Sequence, residues 1–166
     1  ARGDWTIVAD EWILEELARL RAAKLPRETG GVVLGQWDFS RRRVYLVDVL
    51  PSPPDSQEFP TSYIRGSVGL KAEVERRSQV TADQLQYIGE WHSHPDGVSC
   101  TPSGDDRILF ASLQGELGSE GVPPVMLIVG QDSDVVPFLD TAMLNDVRAQ
   151  WRRGGHGFAV QAESSP

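Results

Sequence analysis

Between residues 10 and 24 the apolar positions Ile13, Leu14, Leu17 and Leu20 recur at the spacing of one helical face. Asp10 is placed to cap that helix and Pro26 to end it. The period then changes. Gly31 to Trp37 and Val44 to Leu50 read as two strands joined by a polar turn over Ser40 to Arg43. The segment PSPPDSQEFPTS, residues 51–62, carries four prolines and is expected to be an irregular loop. A weaker helix is predicted from Ser67 to about Gln79, with Val68 and Val74 as its core contacts.

QYIGEWHSH, residues 86–94, reads as a strand stopped by Pro95. SGDDRILFASL, from Ser103, opens a helix with a cap followed by an apolar run. VMLIVG, residues 125–130, is continuously apolar, the pattern of a strand buried on both faces, and Val135 to Leu139 gives a further strand. Leu144, Val147 and Trp151 fall on one face of a predicted last helix, and no pattern is visible from Gly154 onward. The expected organisation is one domain over residues 1–153 and a flexible tail over 154–166. Helices interleaved with strands predict an α/β fold, a mixed β-sheet flanked by helices.

Composition narrows the function. With 40% hydrophobic and 24% charged residues the 166-residue chain reads as a globular domain, and there is no apolar run of membrane-spanning length. A net charge of -8 argues against nucleic acid, whose binding rests on Lys and Arg neutralising phosphates. Arg41, Arg42 and Arg43 lie at the predicted turn and read as solvated. The single cysteine, Cys100, excludes an intrachain disulfide and suits a reducing cytoplasm. The first residue is Ala1, as expected of a piece of a longer chain.

The segment EWHSHPDGVSCTPSGDD, residues 90–106, carries the chemistry. Alternation in a strand puts His92 and His94 on one face together with Ile88 and Glu90, and Tyr87, Trp91 and Ser93 on the other. Pro95 frees the chain to loop back and deliver Asp106 on the first turn of the next helix. Two imidazoles and a carboxylate are a known ligand set for catalytic zinc, with a fourth position left for water. Ser103 and Asp106 also fit a capping box with Asp in place of Glu, and an isolated His-x-His pair carries little weight. Their joint occurrence favours the metal reading. Cys100 is read as a loop residue, since two histidines and a carboxylate already suffice.

His92, Ser93, His94 and Pro95, then seven residues, Ser103, two residues and Asp106 reproduce without a gap the signature of the JAMM (MPN-type) metalloproteases, which the chain therefore resembles. The order of elements over roughly residues 5 to 150 is similar to that family's cytidine-deaminase-like fold. RETGGVVLGQWD is similar to the family's glutamate-bearing strand, which places the catalytic glutamate at Glu28. No spacing argument singles out Glu28. The resemblance implies Zn2+ held by His92, His94 and Asp106, Glu28 as general base and Ser103 as a stabiliser of the developing oxyanion. Glu90 is expected to support the site from behind, and His156 to stand apart from it.

The resemblance also implies a substrate, the peptide or isopeptide bond after the C-terminal glycine of ubiquitin or a ubiquitin-like protein, with the 51–62 loop and the following helix as one wall of the groove. The short frame is similar to the prokaryotic branch, whose members act in ubiquitin-like pathways, among them antiphage systems with activating and conjugating enzymes; other members process sulfur-carrier proteins. RRGG, residues 152–155, is similar to a ubiquitin-like terminus, although Gly pairs commonly just end helices. A non-catalytic scaffold is the alternative from another class, but such relatives lack part of the metal motif. A zinc deaminase would need a Pro-Cys-x-x-Cys pair that one cysteine cannot supply.

Overall fold

The computed structural model describes residues 5–139 in full and the backbone of residues 147–154 and 157–162. Among the described residues, ten strands and three α-helices follow one another as β1 (Thr6–Ala9), α1 (Glu11–Ala22), β2 (Gly30–Asp38), β3 (Arg43–Leu50), β4 (Gln57–Phe59), β5 (Ser62–Ile64), α2 (Leu70–Val80), β6 (Gln86–Ser93), α3 (Gly104–Gly118), β7 (Val125–Val129), β8 (Val135–Leu139), β9 (Val147–Gly154) and β10 (Gly157–Ala162). Eight strands form one mixed sheet curled into a closed barrel, in the order β1-β10-β9-β8-β7-β6-β2-β3, while β4 and β5 make a separate hairpin. The β1–β3 and β6–β7 pairs are parallel and the others antiparallel.

Helices cover both faces of the sheet. On one face Ile13 and Leu17 of α1 pack with Val33, Trp91, Val125, Leu127 and Val129. On the other, Phe110 and Leu113 of α3 meet Met126 and Ile128, and Leu70 and Val74 of α2 meet Val32 and Leu34. Strand β7 is buried on both faces, which explains its unbroken apolar run.

Several expectations change. Asp10 occupies the N-cap position of α1, but its side chain makes no capping hydrogen bond. The proline-rich 51–62 segment contains β4 and the turn at Pro60 and Thr61 that leads into its partner β5. Val68 is mostly exposed, and Leu70 joins Val74 as the contact of α2. The face assignment in β6 is also corrected. Pairing with β2 skips Ile88, since Val33 faces Gly89 and Leu34 faces Tyr87. This bulge reverses the alternation below it. Ile88 therefore joins Trp91 in the α1 core, and Tyr87 reaches the same side as Glu90.

At the C-terminal end, Val147 and Trp151 lie in strand β9, not in a helix, because the segment pairs with β8 and β10; Leu144 lies outside the described residues. Where a patternless tail was expected, residues 157–162 form β10, which pairs with β1 as well as β9. Of the RRGG segment, Arg152, Arg153 and Gly154 belong to β9, and Gly155 and His156 are outside the described residues.

Candidate metal centre

The end of β6 and the start of α3 bring three side chains together. His92 is the last-but-one residue of β6. His94 lies just beyond the strand, and its N–H still donates to the Val129 carbonyl of β7 at 2.9 Å, so the extended path continues to the second histidine. After Pro95 the chain turns, with Val98 N–H bonded to the Pro95 carbonyl. That turn aims the Ser99 carbonyl at His94 Nδ1, 2.6 Å away. Asp106 enters from the first turn of α3 through a complete capping box, in which Ser103 Oγ accepts from Asp106 N–H at 3.2 Å and Ser103 N–H donates to Asp106 Oδ2 at 2.6 Å. The capping and ligand readings of this segment are thus two consequences of one geometry.

His92, His94 and Asp106 are each buried, and one ligand atom from each lies within 4.8 Å of the others. His92 Nε2 is 2.9 Å from Asp106 Oδ1 and His94 Nε2 is 3.3 Å from Asp106 Oδ2. Ligands on a tetrahedral zinc at the usual bond lengths stand about 3.3 Å apart. The Ser99 carbonyl holds the Nδ1 proton of His94 and turns the Nε2 lone pair toward Asp106. His92 is 3% exposed, yet neither ring nitrogen has a hydrogen-bond partner. Leaving a buried polar atom orphaned is costly, and a cation among these three donors removes that cost at His92 Nε2, the nitrogen nearest Asp106. The residues present therefore fit a divalent metal.

Electrostatics agree with this. Burial pushes the Asp106 carboxyl up, but the adjacent imidazoles of His92 and His94 and the Ser103 N–H outweigh it and hold the carboxyl well below the usual range. Burial pushes His94 down, while Asp106 and the Ser99 carbonyl reverse that and raise it. Glu28 sits two residues before β2 and is half-buried. Burial raises its carboxyl, His94 and His92 pull it down, and Asp106 and Asp105 push it up. Glu28 thus shares the field of all three donors.

Glu90 does not. Its buried carboxylate accepts from Arg65 Nε at 2.9 Å and Tyr87 OH at 3.0 Å, which ties β6 to the segment after β5. Cys100 packs with Phe110, Met126, Ile128, Val136 and Phe138. It is absent from the donor group found among the described residues.

Arg21 is a contributor that spacing alone did not reveal. It is 7% exposed on α1, and its Nε donates to the His94 carbonyl at 2.8 Å while Nη2 donates to Asp96 Oδ1 at 2.5 Å. A signal was present, because Arg21 continues the Ile13, Leu17 line at a four-residue step and so places a cation in an apolar stripe.

The fold and the donor cluster together define a metal-dependent peptidase of the JAMM type. A family described as prokaryotic homologs of the JAB domain matches residues 10–151, and the chain belongs to that family. Among characterised proteins it is similar to the CD-NTase/cGAS isopeptidase of Enterobacter hormaechei subsp. hoffmannii, 32% identical over 128 residues, which cover 77% of this chain and 69% of that protein. It is also similar to the probable metalloprotease y4qB of Sinorhizobium fredii, 25% identical over 71% of this chain and 74% of that protein. The solution structure of protein DSY2949 from Desulfitobacterium hafniense shares the fold, with a TM-score of 0.54, 20% identity and coverage of 80% of this chain and 83% of that one.

Proposed function

We propose that the chain is a zinc peptidase that cuts after the C-terminal glycine of a ubiquitin-like protein, releasing it from a conjugate or a precursor in a bacterial ubiquitin-like pathway. The observation that carries this reading is the convergence of His92, His94 and Asp106 beside Glu28. Two imidazoles and a carboxylate suit zinc. When bound, zinc activates water and polarises the scissile carbonyl.

The chain's own groups do the rest. Glu28 takes a proton from the attacking water and delivers it to the nitrogen of the breaking C–N bond, so that the amine leaves neutral. Ser103 is exposed, and its hydroxyl proton is directed at the carbonyl oxygen on which negative charge develops. The Ser99 carbonyl and Arg21 hold His94 in place throughout. A substrate tail ending in Gly-Gly suits a narrow groove because only glycine allows so close a backbone approach. The relative named a CD-NTase/cGAS isopeptidase supports cleavage of a branched bond.

The test is incubation of the zinc-loaded protein with ubiquitin-like proteins bearing C-terminal extensions or lysine-linked partners, read by mass. The expected product ends at the glycine, and Glu28→Gln slows its formation on the order of 100- to 10,000-fold while retaining the metal. Normal turnover by Glu28→Gln, or products cut elsewhere, contradict the reading.

A further inference from the structure

Glu28 and Thr29 are held by bonds from two directions. From β6, Ser93 N–H donates to the Thr29 carbonyl at 2.7 Å and Ser93 Oγ accepts from Thr29 N–H at 3.0 Å. From the β4–β5 hairpin, the Phe59 carbonyl accepts from Glu28 N–H at 2.8 Å and Glu58 Oε1 accepts from Thr29 Oγ1 at 2.7 Å. The other oxygen of Glu58 accepts from Lys24 Nζ at 2.8 Å, just past the end of α1.

A carboxylate on a three-residue hairpin strand is ordinarily solvated, yet the side chain of Glu58 is only 10% exposed. Burial pushes its carboxyl up, and the bonds from Lys24, Thr29 and Ser52 outweigh that and keep it ionised. A buried charge held by such donors is costly to assemble, and two of them, Lys24 and Thr29, flank Glu28 in the chain. Phe59, whose carbonyl grips Glu28, is itself 47% exposed, so this hairpin residue meets both solvent and the backbone of the base.

We propose that Glu58 is the positioning residue for Glu28, strapping the β4–β5 hairpin to Lys24 and Thr29 so that hairpin and base move as one body. This rests on Glu28 being the base. A substrate that settles against the hairpin then orders the base at the same time, and a loosened hairpin leaves the metal in place but the base misdirected.

The test uses Glu58→Ala, Glu58→Gln, Thr29→Val and the Glu58→Ala/Thr29→Val pair. Each is assayed on a peptide ending in Gly-Gly joined through an amide to aminomethylcoumarin, with kcat expressed per bound metal. Glu58→Ala and Thr29→Val are each expected to lower kcat by about tenfold or more, since an ångström of misplacement is worth up to a hundredfold, with KM and metal content unchanged. The pair is expected to be no worse than Glu58→Ala alone, because that change already removes the acceptor for Thr29. Glu58→Gln keeps an acceptor for Thr29 and recovers most of the rate.

Independently of activity, amide exchange at Glu28 and Thr29 in the metal-free protein is expected to speed up in Glu58→Ala and not in Glu58→Gln. Normal kcat in Thr29→Val, additive losses in the pair, or unchanged exchange overturns the strap. Thr29→Val decides the matter if Glu58→Ala does not fold. A parallel Glu28→Gln separates the two ideas: an active Glu28→Gln removes the base, whereas an inactive one beside a fully active Glu58→Ala removes only the strap.

Discussion

Ser103 accepts the Asp106 N–H through a lone pair of its hydroxyl, which leaves the hydroxyl proton unspent. That division lets one side chain cap α3 and still donate to a substrate oxygen. Ser103→Ala is expected to cost about 1 kcal/mol of stability through the lost cap and on the order of 100- to 1,000-fold in turnover through the lost donor, with metal retained. Metal-normalised kinetics check it, and an unchanged rate removes Ser103 from the chemistry. At this scale the sequence was legible wherever chemistry forces a spacing. A strand presents alternate residues to one side, and a helix N-terminus presents its third residue, so His92, His94 and Asp106 could be read directly. Thr29 and Glu58 could not, because their partners lie dozens of residues away and polar residues at such positions are ordinarily solvated; Arg21 showed only as a cation in an apolar stripe, with its partners hidden.

The β6 strand shows what an element adds to a residue pattern. Simple alternation kept His92 and Glu90 on one side correctly but misplaced Ile88 and Tyr87, because the bulge beside Gly89 inserts one residue. A glycine inside a strand is the sequence mark of such a feature, and a Cβ at Gly89 would stand 1.8 Å from the Val125 carbonyl. Gly31 is equally confined: a Cβ there would meet the Leu50 carbonyl at 1.9 Å, the same oxygen that accepts from Trp91 Nε1. Gly31→Ala is expected to destabilise the fold by about 1–3 kcal/mol, measured by chemical denaturation, and wild-type stability would refute this close packing.

The β2–β3 turn gives a test in pH. Ser40 and Arg41 hold the Asp38 carboxyl down to about 2 from an ordinary 3.8. Its folded value is depressed, so its contribution is complete above 3.8 and fades as pH falls toward about 2. Asp38→Asn is expected to melt below wild type at about pH 5, with the gap narrowing below about pH 4 and closing only as pH approaches about 2. A gap constant across the range contradicts the assignment. The terminal segment was misread for a reason of the same kind. Val147 and Trp151 satisfy a four-residue step and a two-residue step alike, and only pairing with β8 and β10 decides for strand.

Across the whole molecule, the alternation of helices and strands predicted helices on both faces of a mixed sheet, and the three cores show it. Closure of the sheet was not legible, since it depends on β10 pairing with β1 from the far end of the chain. Among the described residues no helix is long and apolar enough to cross a membrane. The architecture places the candidate metal ligands where β6 ends beside β7 and α3 begins, with α1 bracing that junction through Arg21.

The central claim is that this junction holds zinc through nitrogen and oxygen alone. X-ray absorption at the zinc edge of the metal-loaded protein tests it most directly. Stoichiometric zinc with two imidazole ligands and oxygen completing the shell, lost in Asp106→Ala, is the predicted result. A sulfur ligand from Cys100, or zinc retained in full without Asp106, contradicts it.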